Sequence, residues 1–213
     1  MAVCYIVGAG DCPALPFSPQ TDDLVIAADA GFVPLQQSGL RIDLTVGDFD
    51  SLGKVPSGTE IVQHPIRKDD TDMLLAAKLG LARGFRRFVL YGGLGGRRFD
   101  HTVANLQTLH YLHTHGAIGF LTAAGQAPVT VTVAGKGVYR FAPQAVGDFS
   151  VFAFGGNAVV SLRGLNYNAE QVTLSPDFPL GVSNAFTEQQ AEVTVHSGAV
   201  LAVWYGAHEW LTE

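Results

Sequence analysis

Phe88-Val89-Leu90-Tyr91-Gly92-Gly93-Leu94-Gly95-Gly96 is the stretch that decides the fold. Four consecutive apolar residues read as a buried strand, and the strand runs directly into a loop rich in glycine. A helical pattern follows from about His101 to His115, and Ile118–Thr122 reads as the next strand. Strand, glycine loop, helix, strand is the repeating unit of a parallel sheet with crossover helices. The same grammar extends upstream. Val3–Val7 ends in Gly8-Ala9-Gly10, and Leu24–Ala28 ends at Asp29-Ala30-Gly31 before a short helical stretch that Gly39 closes. Leu44–Val46 leads into the acidic turn Gly47-Asp48-Phe49-Asp50-Ser51, and Glu60–Gln63 is a further strand candidate. Asp72 opens a helix in which Leu74, Leu75, Lys78, Leu79 and Leu81 follow at helical spacing, with Gly84 as its stop.

After Gln126-Ala127-Pro128 the pattern changes. Val129-Thr130-Val131-Thr132-Val133 alternates strictly, as do parts of 149–154, 159–162, 192–195 and 200–204, with Gly, Pro and Asn between them. No helical period of useful length occurs there. The expectation is therefore two domains. Residues 1–125 form an α/β domain with a mostly parallel, Rossmann-like sheet, and residues 126–213 form an all-β sandwich or jelly-roll-like domain.

The bulk properties narrow the function classes. The chain has 213 residues, 47% hydrophobic and 15% charged, a globular composition with enough length for two cores. A formal net charge of −6 argues against a nucleic-acid binder. It leaves room for a small anion held by a local cluster such as Arg67-Lys68 or Arg97-Arg98. No apolar run approaches the roughly 18 residues of a membrane span, and the start carries no basic leader, so a soluble cytoplasmic protein is expected. Cys4 and Cys12 show no zinc spacing and no disulfide pattern. His110, His113 and His115 crowd one helix end without a metal-like partner set, and Trp204 and Trp210 read as packing residues.

Acidic residues recur where strands end and helices begin. Asp29, Asp48, Asp50, Asp72 and Asp100 all fall at such places, and in an open α/β sheet those loops converge on the ligand. Taken singly, each is an ordinary turn or cap residue. Brought to one rim they would repel unless a cation neutralised them, and hard carboxylate oxygens favour magnesium completed by phosphate. Lys68-Asp69-Asp70-Thr71-Asp72 precedes a helix whose first-turn amides and Lys68 can hold a phosphate. Gly95 and Gly96 permit close backbone approach, and Arg97 or Arg98 offers a fork for phosphate oxygens. No Gly-Lys-Ser/Thr follows, so this is not a Walker loop, and Pro13 stands where a dinucleotide fingerprint needs its third glycine. Ser51 lacks the frame of a hydrolase nucleophile. The residues alone thus indicate a magnesium-dependent enzyme acting on a nucleoside triphosphate.

In combination and order these motifs resemble the thiamine pyrophosphokinase (thiamine diphosphokinase) family over nearly the whole chain. The resemblance rests on Asp29-Ala30-Gly31, Gly47–Ser51, Lys68–Asp72, Gly95-Gly96-Arg97 with Asp100-His101, and Asn105. In the second half it rests on Gly164-Leu165-Asn166-Tyr167-Asn168 and Ser183-Asn184. It implies transfer of a diphosphate from ATP to thiamine, releasing AMP, by a homodimer whose thiamine site is shared between subunits. It implies magnesium and the ATP diphosphate on Asp48, Asp50 and Asp72, with Lys68 beside them as a catalytic cation. Asp29, Ser51, Asp69, Thr71, Gly95, Gly96, Arg97, Arg98, Asp100, His101 and Asn105 would complete the ATP site. Thiamine would meet Asp50, Tyr167, Ser183 and Asn184. Two departures stand out. The family usually has one residue between the arginine and Asp-His, whereas Arg97-Arg98-Phe99 adds one and leaves the phosphate arginine open. Tyr167 stands where the family often has tryptophan, and tyrosine keeps the stacking face. Rival readings are a diphosphatase or a diphosphotransferase for another alcohol, and a binding protein that has lost catalysis.

Overall fold

The computed structural model describes residues 1–10, 12, 14–49, 58–63, 69–96, 98–123, 125, 128–208 and 210. The chain divides into two compact units, Met1–Gln126 and Ala127–Glu213.

Unit 1 contains, in chain order, β1 (Cys4–Val7), β2 (Leu24–Ala28), a 3-10 turn (Asp29–Gly31), α1 (Phe32–Gln37), β3 (Leu44–Gly47) and β4 (Glu60–Gln63). It continues with α2 (Asp72–Ala82), β5 (Arg87–Tyr91), α3 (Phe99–Thr114) and β6 (Ile118–Ala123). All six strands are parallel, in the order β4-β3-β2-β1-β5-β6. The order runs one way from β1 to β4 and the other way through β5 and β6. The turns after β1 and β5 therefore diverge and leave a crevice beyond the carboxyl ends of those strands. β2 is buried at every residue and β5 at all but its first, as expected for strands covered on both faces.

Away from the crevice, two aspartates close the entering ends of strands. Asp23 Oδ1 accepts from Val3 N at 2.8 Å, and Asp43 Oδ2 accepts from Val25 N at 2.8 Å. These carboxylates satisfy backbone donors, so their chemistry is structural.

Helix α2 starts where the sequence places it. Thr71 is its N-cap, and its Oγ1 accepts from Leu74 N at 3.2 Å. The helix buries Met73, Ala76, Ala77 and Gly80 and packs on β1, β2 and β3. Its leucine spacing indicated the helix, but its small residues make the closest contact with the sheet. Helix α3 begins at Phe99, two residues earlier than the periodicity implies, because the Arg98 carbonyl already accepts from His101 N at 3.1 Å. It packs on β6 and α2. Cys4 and Cys12 are free thiols, and burial pushes the Cys4 thiol far up, leaving it an inert core residue. No helix among the described residues is long and apolar enough to cross a membrane.

Unit 2 consists of β7 (Val129–Ala134), β8 (Gly137–Arg140), β9 (Asp148–Ala153), β10 (Ala158–Arg163), β11 (Ala169–Leu174), β12 (Asn184–Ala185), β13 (Glu192–Ser197) and β14 (Val200–Trp204). One antiparallel sheet has the order β12-β9-β14-β7 and the other β11-β10-β13-β8. Phe141, just beyond β8, packs edge-on against Phe149 of β9 and Trp204 of β14, each ring centroid at 5.5 Å. These rings join the two sheets in one aromatic core. β11 escaped the sequence reading because only Leu174 of its residues is buried and its register breaks at a bulge, where Gln171 takes a φ of 49°.

Gly80 gives a test of how closely α2 lies on the sheet. A Cβ there would stand 2.6 Å from Phe88 Cε1 and 2.9 Å from Cys4 Sγ, both in fully buried side chains. Glycine to alanine inside a helix ordinarily stabilises by about 1 kcal/mol. At this position the clash wins, and Gly80→Ala is expected to lower the unfolding free energy by roughly 1–2 kcal/mol in urea denaturation.

Candidate active site

The crevice between the β1 and β5 turns is closed at its base by backbone alone. Gly8 N donates to Tyr91 O and Gly10 N to Gly92 O, both at 2.9 Å. A Cβ on Gly10 would run into the carbonyl of Gly92, and Gly92 itself has a φ of 66°. Only glycine allows both the approach and the turn. Above this base lies a cavity of about 330 Å³. Its walls are the Gly8–Gly10 turn, Asp29 at the end of β2, Thr71 and Asp72 at the start of α2, the glycine loop after β5, and the first turns of α3. A volume of this order suits part of a nucleotide-sized ligand.

Of the residues expected at the nucleotide, the structure brings Asp29, Thr71, Asp72, Gly95, Gly96, Arg98, His101 and Asn105 to this one cavity. Asn105 is buried, and its Nδ2 donates to Gly93 O at 2.9 Å. Gly95 N in turn donates to Thr102 Oγ1 at 3.1 Å. The glycine loop is thus held from beneath by two side chains of α3. Thr102 carried no signal in the sequence, since a threonine one turn into a helix looks like any other.

Arg98 and Asp100 form a fork at the edge of the cavity. Arg98 Nε lies 2.9 Å from Asp100 Oδ1, and Nη2 lies 2.6 Å from Oδ2. The guanidinium holds the Asp100 carboxyl down at about 2. Asp100 is not on the cavity wall; it orients the arginine that is. Both groups are exposed, so an incoming anion can compete for the guanidinium.

The remaining expectations for this unit fall elsewhere. Asp48 follows β3, half-buried and not among the residues lining the cavity, and Asp69 is exposed just before α2, also off the wall. Asp50, Ser51, Lys68 and Arg97 lie outside the described residues. Among the described residues no group of three His, Cys, Asp or Glu converges on one point. The ionisable donors on the wall are nevertheless of the right kind for magnesium. Asp29 and Asp72 offer hard carboxylate oxygens, and among the described residues of the wall the only sulfur is the thioether of Met73.

In unit 2, Tyr167 is 67% exposed, with its backbone clamped by a neighbour. Asn184 Oδ1 accepts from Tyr167 N at 2.8 Å, while Asn184 Nδ2 donates to Tyr167 O at 2.7 Å. The buried Asn184 side chain is therefore committed to the Tyr167 peptide. Its nearest chemical effect is to present the tyrosine ring to solvent on a fixed backbone. Ser183 adopts a φ of 60°, and its N–H donates to Ser150 Oγ at 3.2 Å, which sets the turn leading into Asn184.

Comparison with known proteins bears on both units. The catalytic-domain model of thiamin pyrophosphokinase matches residues 19–119, and the vitamin B1 binding domain model of the same enzyme matches residues 145–200. No curated protein matches the chain by sequence. Among solved structures, thiamine pyrophosphokinase from Bacillus subtilis superposes with a TM-score of 0.82 at 21% identity, over 97% of this chain and 100% of that one. A thiamin pyrophosphokinase family protein from Enterococcus faecalis gives 0.78 at 25% identity, over 96% and 99%. Thiamin pyrophosphokinase from Candida albicans gives 0.73 at 14% identity, over 96% and 89%. With family models covering both units, the chain belongs to the thiamin pyrophosphokinase family, a family of enzymes.

Proposed function

We propose that the chain is a thiamine diphosphokinase that uses magnesium and ATP, converting thiamine to thiamine diphosphate with release of AMP. The observation that carries this reading is the unit 1 cavity, where two carboxylates, a helix start, a glycine loop and an arginine face one space. In this reading unit 1 is a Rossmann-like nucleotide-binding unit, and unit 2 a jelly-roll-like unit that supplies the acceptor site.

The chemistry follows from what each group can do. Backbone N–H groups of the glycine loop and of the first turn of α2 are donors of the kind suited to phosphate oxygens. Arg98, pre-oriented by Asp100, can take a phosphate oxygen in place of one carboxylate contact. Asp72, together with Asp48 and Asp50, would hold magnesium, whose charge would offset that of the triphosphate. Lys68 would add a further positive charge. The thiamine hydroxyl oxygen would bond to the β-phosphorus as the bond from that phosphorus to the α–β bridging oxygen breaks. AMP would leave with the electron pair. Asp50 or Asp72 would receive the hydroxyl proton. Tyr167 offers a ring face for the flat, cationic thiamine, with Ser183 adjoining Asn184, whose side chain holds the Tyr167 backbone.

A homodimer fits the surface of unit 2. Phe178 and Leu180 are 64% and 53% exposed, and Val182 of the same segment is also open. Apolar side chains gathered in one exposed stretch favour a partner surface, here a second copy of the chain. With ATP as its donor, the enzyme would work in the cytoplasm.

Incubated with ATP, magnesium and thiamine, the protein is expected to release AMP and thiamine diphosphate in equal amounts; ADP as the sole nucleotide product would overturn the reading. Asp72→Asn and, separately, Asp50→Asn should each cut kcat about 10²–10³-fold with unchanged circular dichroism, as loss of a charge-stabilising group does. Either variant retaining full turnover would remove that carboxylate from the mechanism. In sedimentation equilibrium, wild type should run as a dimer, and Phe178→Asp combined with Leu180→Asp should run as a monomer with impaired turnover.

A further inference from the structure

Asp70 lies two residues before the cavity-lining Asp72, and its side chain is tied to the body of α2. Both of its oxygens sit 2.7 Å from Nζ of Lys78, eight residues further along the chain. The same ammonium group lies 5.5 Å from the centre of the Tyr111 ring on α3. Lys78 thus touches the chain that leads into α2 and the helix that forms the other wall of the cavity. Donating these hydrogen bonds to Asp70 also raises the proton affinity of the Lys78 amine, which favours its charged form.

Thr71 caps α2 from an extended conformation with ψ of 156°, and Asp72 follows at the first helical position. A segment entering a helix in this way can pivot about its cap, because the first-turn N–H groups have no partners earlier in the helix. Thr71 holds that cap through Leu74 N and Leu75 N, and Asp70, directly before it, is tied to Lys78.

We propose that Lys78 is a positioning residue for the nucleotide site. Its paired contact with Asp70 and its seat on Tyr111 fix the start of α2 against α3, and so set Thr71 and Asp72 opposite His101 and Asn105. This inference rests on reading the cavity as the nucleotide site. Lys78 and Asp70 remain 36% and 29% exposed, and a pair so exposed adds little to global stability. Its effect is therefore local, on the geometry of one wall, where a displacement of about 1 Å can cost up to 10²-fold in rate.

The test uses the full-length protein with Lys78→Met, Lys78→Arg, Asp70→Asn and the combined Lys78→Met/Asp70→Asn. Lys78→Met should lower kcat/KM for ATP at least about tenfold while leaving KM for thiamine and the thermal midpoint nearly unchanged. Lys78→Arg, whose fork can still reach both oxygens of Asp70, should restore most of the loss. Asp70→Asn should reproduce the defect, and the combined variant should be no worse than either single one. Independently of turnover, amide exchange at Leu74 and Leu75, both bonded to Thr71, should quicken in Lys78→Met and not in Lys78→Arg. Wild-type exchange together with wild-type kcat/KM in Lys78→Met would overturn the inference, as would losses that multiply in the combined variant. If the wild-type protein makes no AMP from ATP and thiamine, the proposed function fails instead, and the exchange rates alone decide the role of Lys78.

Discussion

Two glycine turns meet with no side chain between them, and the arrangement of unit 1 follows from that contact. Gly8 and Gly10 donate to the carbonyls of Tyr91 and Gly92, so the chain leaving β1 and the chain leaving β5 run side by side before they separate. Strand order reverses between these two neighbours, which places the contact at the bottom of the crevice that the topology opens. A methyl group at Gly10 would force the two turns apart and lift the base of the cavity. Backbone polar groups paired in this way also need no water, so the base of the cavity stays closed.

The described walls of the unit 1 cavity rise from that base. The walls are two helix starts, and each is fixed by a different device. At α3, Thr102 and Asn105 reach back to the glycine loop, so loop and helix form one piece. At α2, Thr71 caps the helix, and Lys78 ties the preceding Asp70 to the helix body and to Tyr111. The acidic residues divide accordingly. Asp23 and Asp43 close strand starts, Asp70 and Asp100 orient a cation, and Asp29 and Asp72 face the cavity. Carboxylates that look alike in sequence therefore do three kinds of work, decided by which donor lies within reach.

Unit 2 works by a similar economy. The aromatic core of Phe141, Phe149, Phe186 and Trp204 joins two sheets whose outer residues are left free for other uses. On that frame Asn184 gives up its side chain to the peptide of Tyr167, and the ring is left exposed. Asn184, expected at thiamine from the sequence, holds the backbone of Tyr167 in the structure.

The sequence by itself determined the two grammars, the order of the strands along the chain, the helix that Thr71 and Asp72 open, and the family. These depend on local periodicity, on turn chemistry and on residues close together in the chain. It also marked Asp29, Asp72 and an arginine at 97 or 98, because glycine loops and acidic turns at strand ends converge in any open parallel sheet, and the family resemblance added Asn105. Only the tertiary structure decided which acids face the cavity and which serve a cation or a strand end. It alone revealed Thr102 and Lys78, and the commitment of Asn184 to Tyr167. Apart from the Arg98–Asp100 pair, those outcomes rest on hydrogen-bond reach across 7 to 20 positions of chain, a distance that sequence pattern does not encode and folding does.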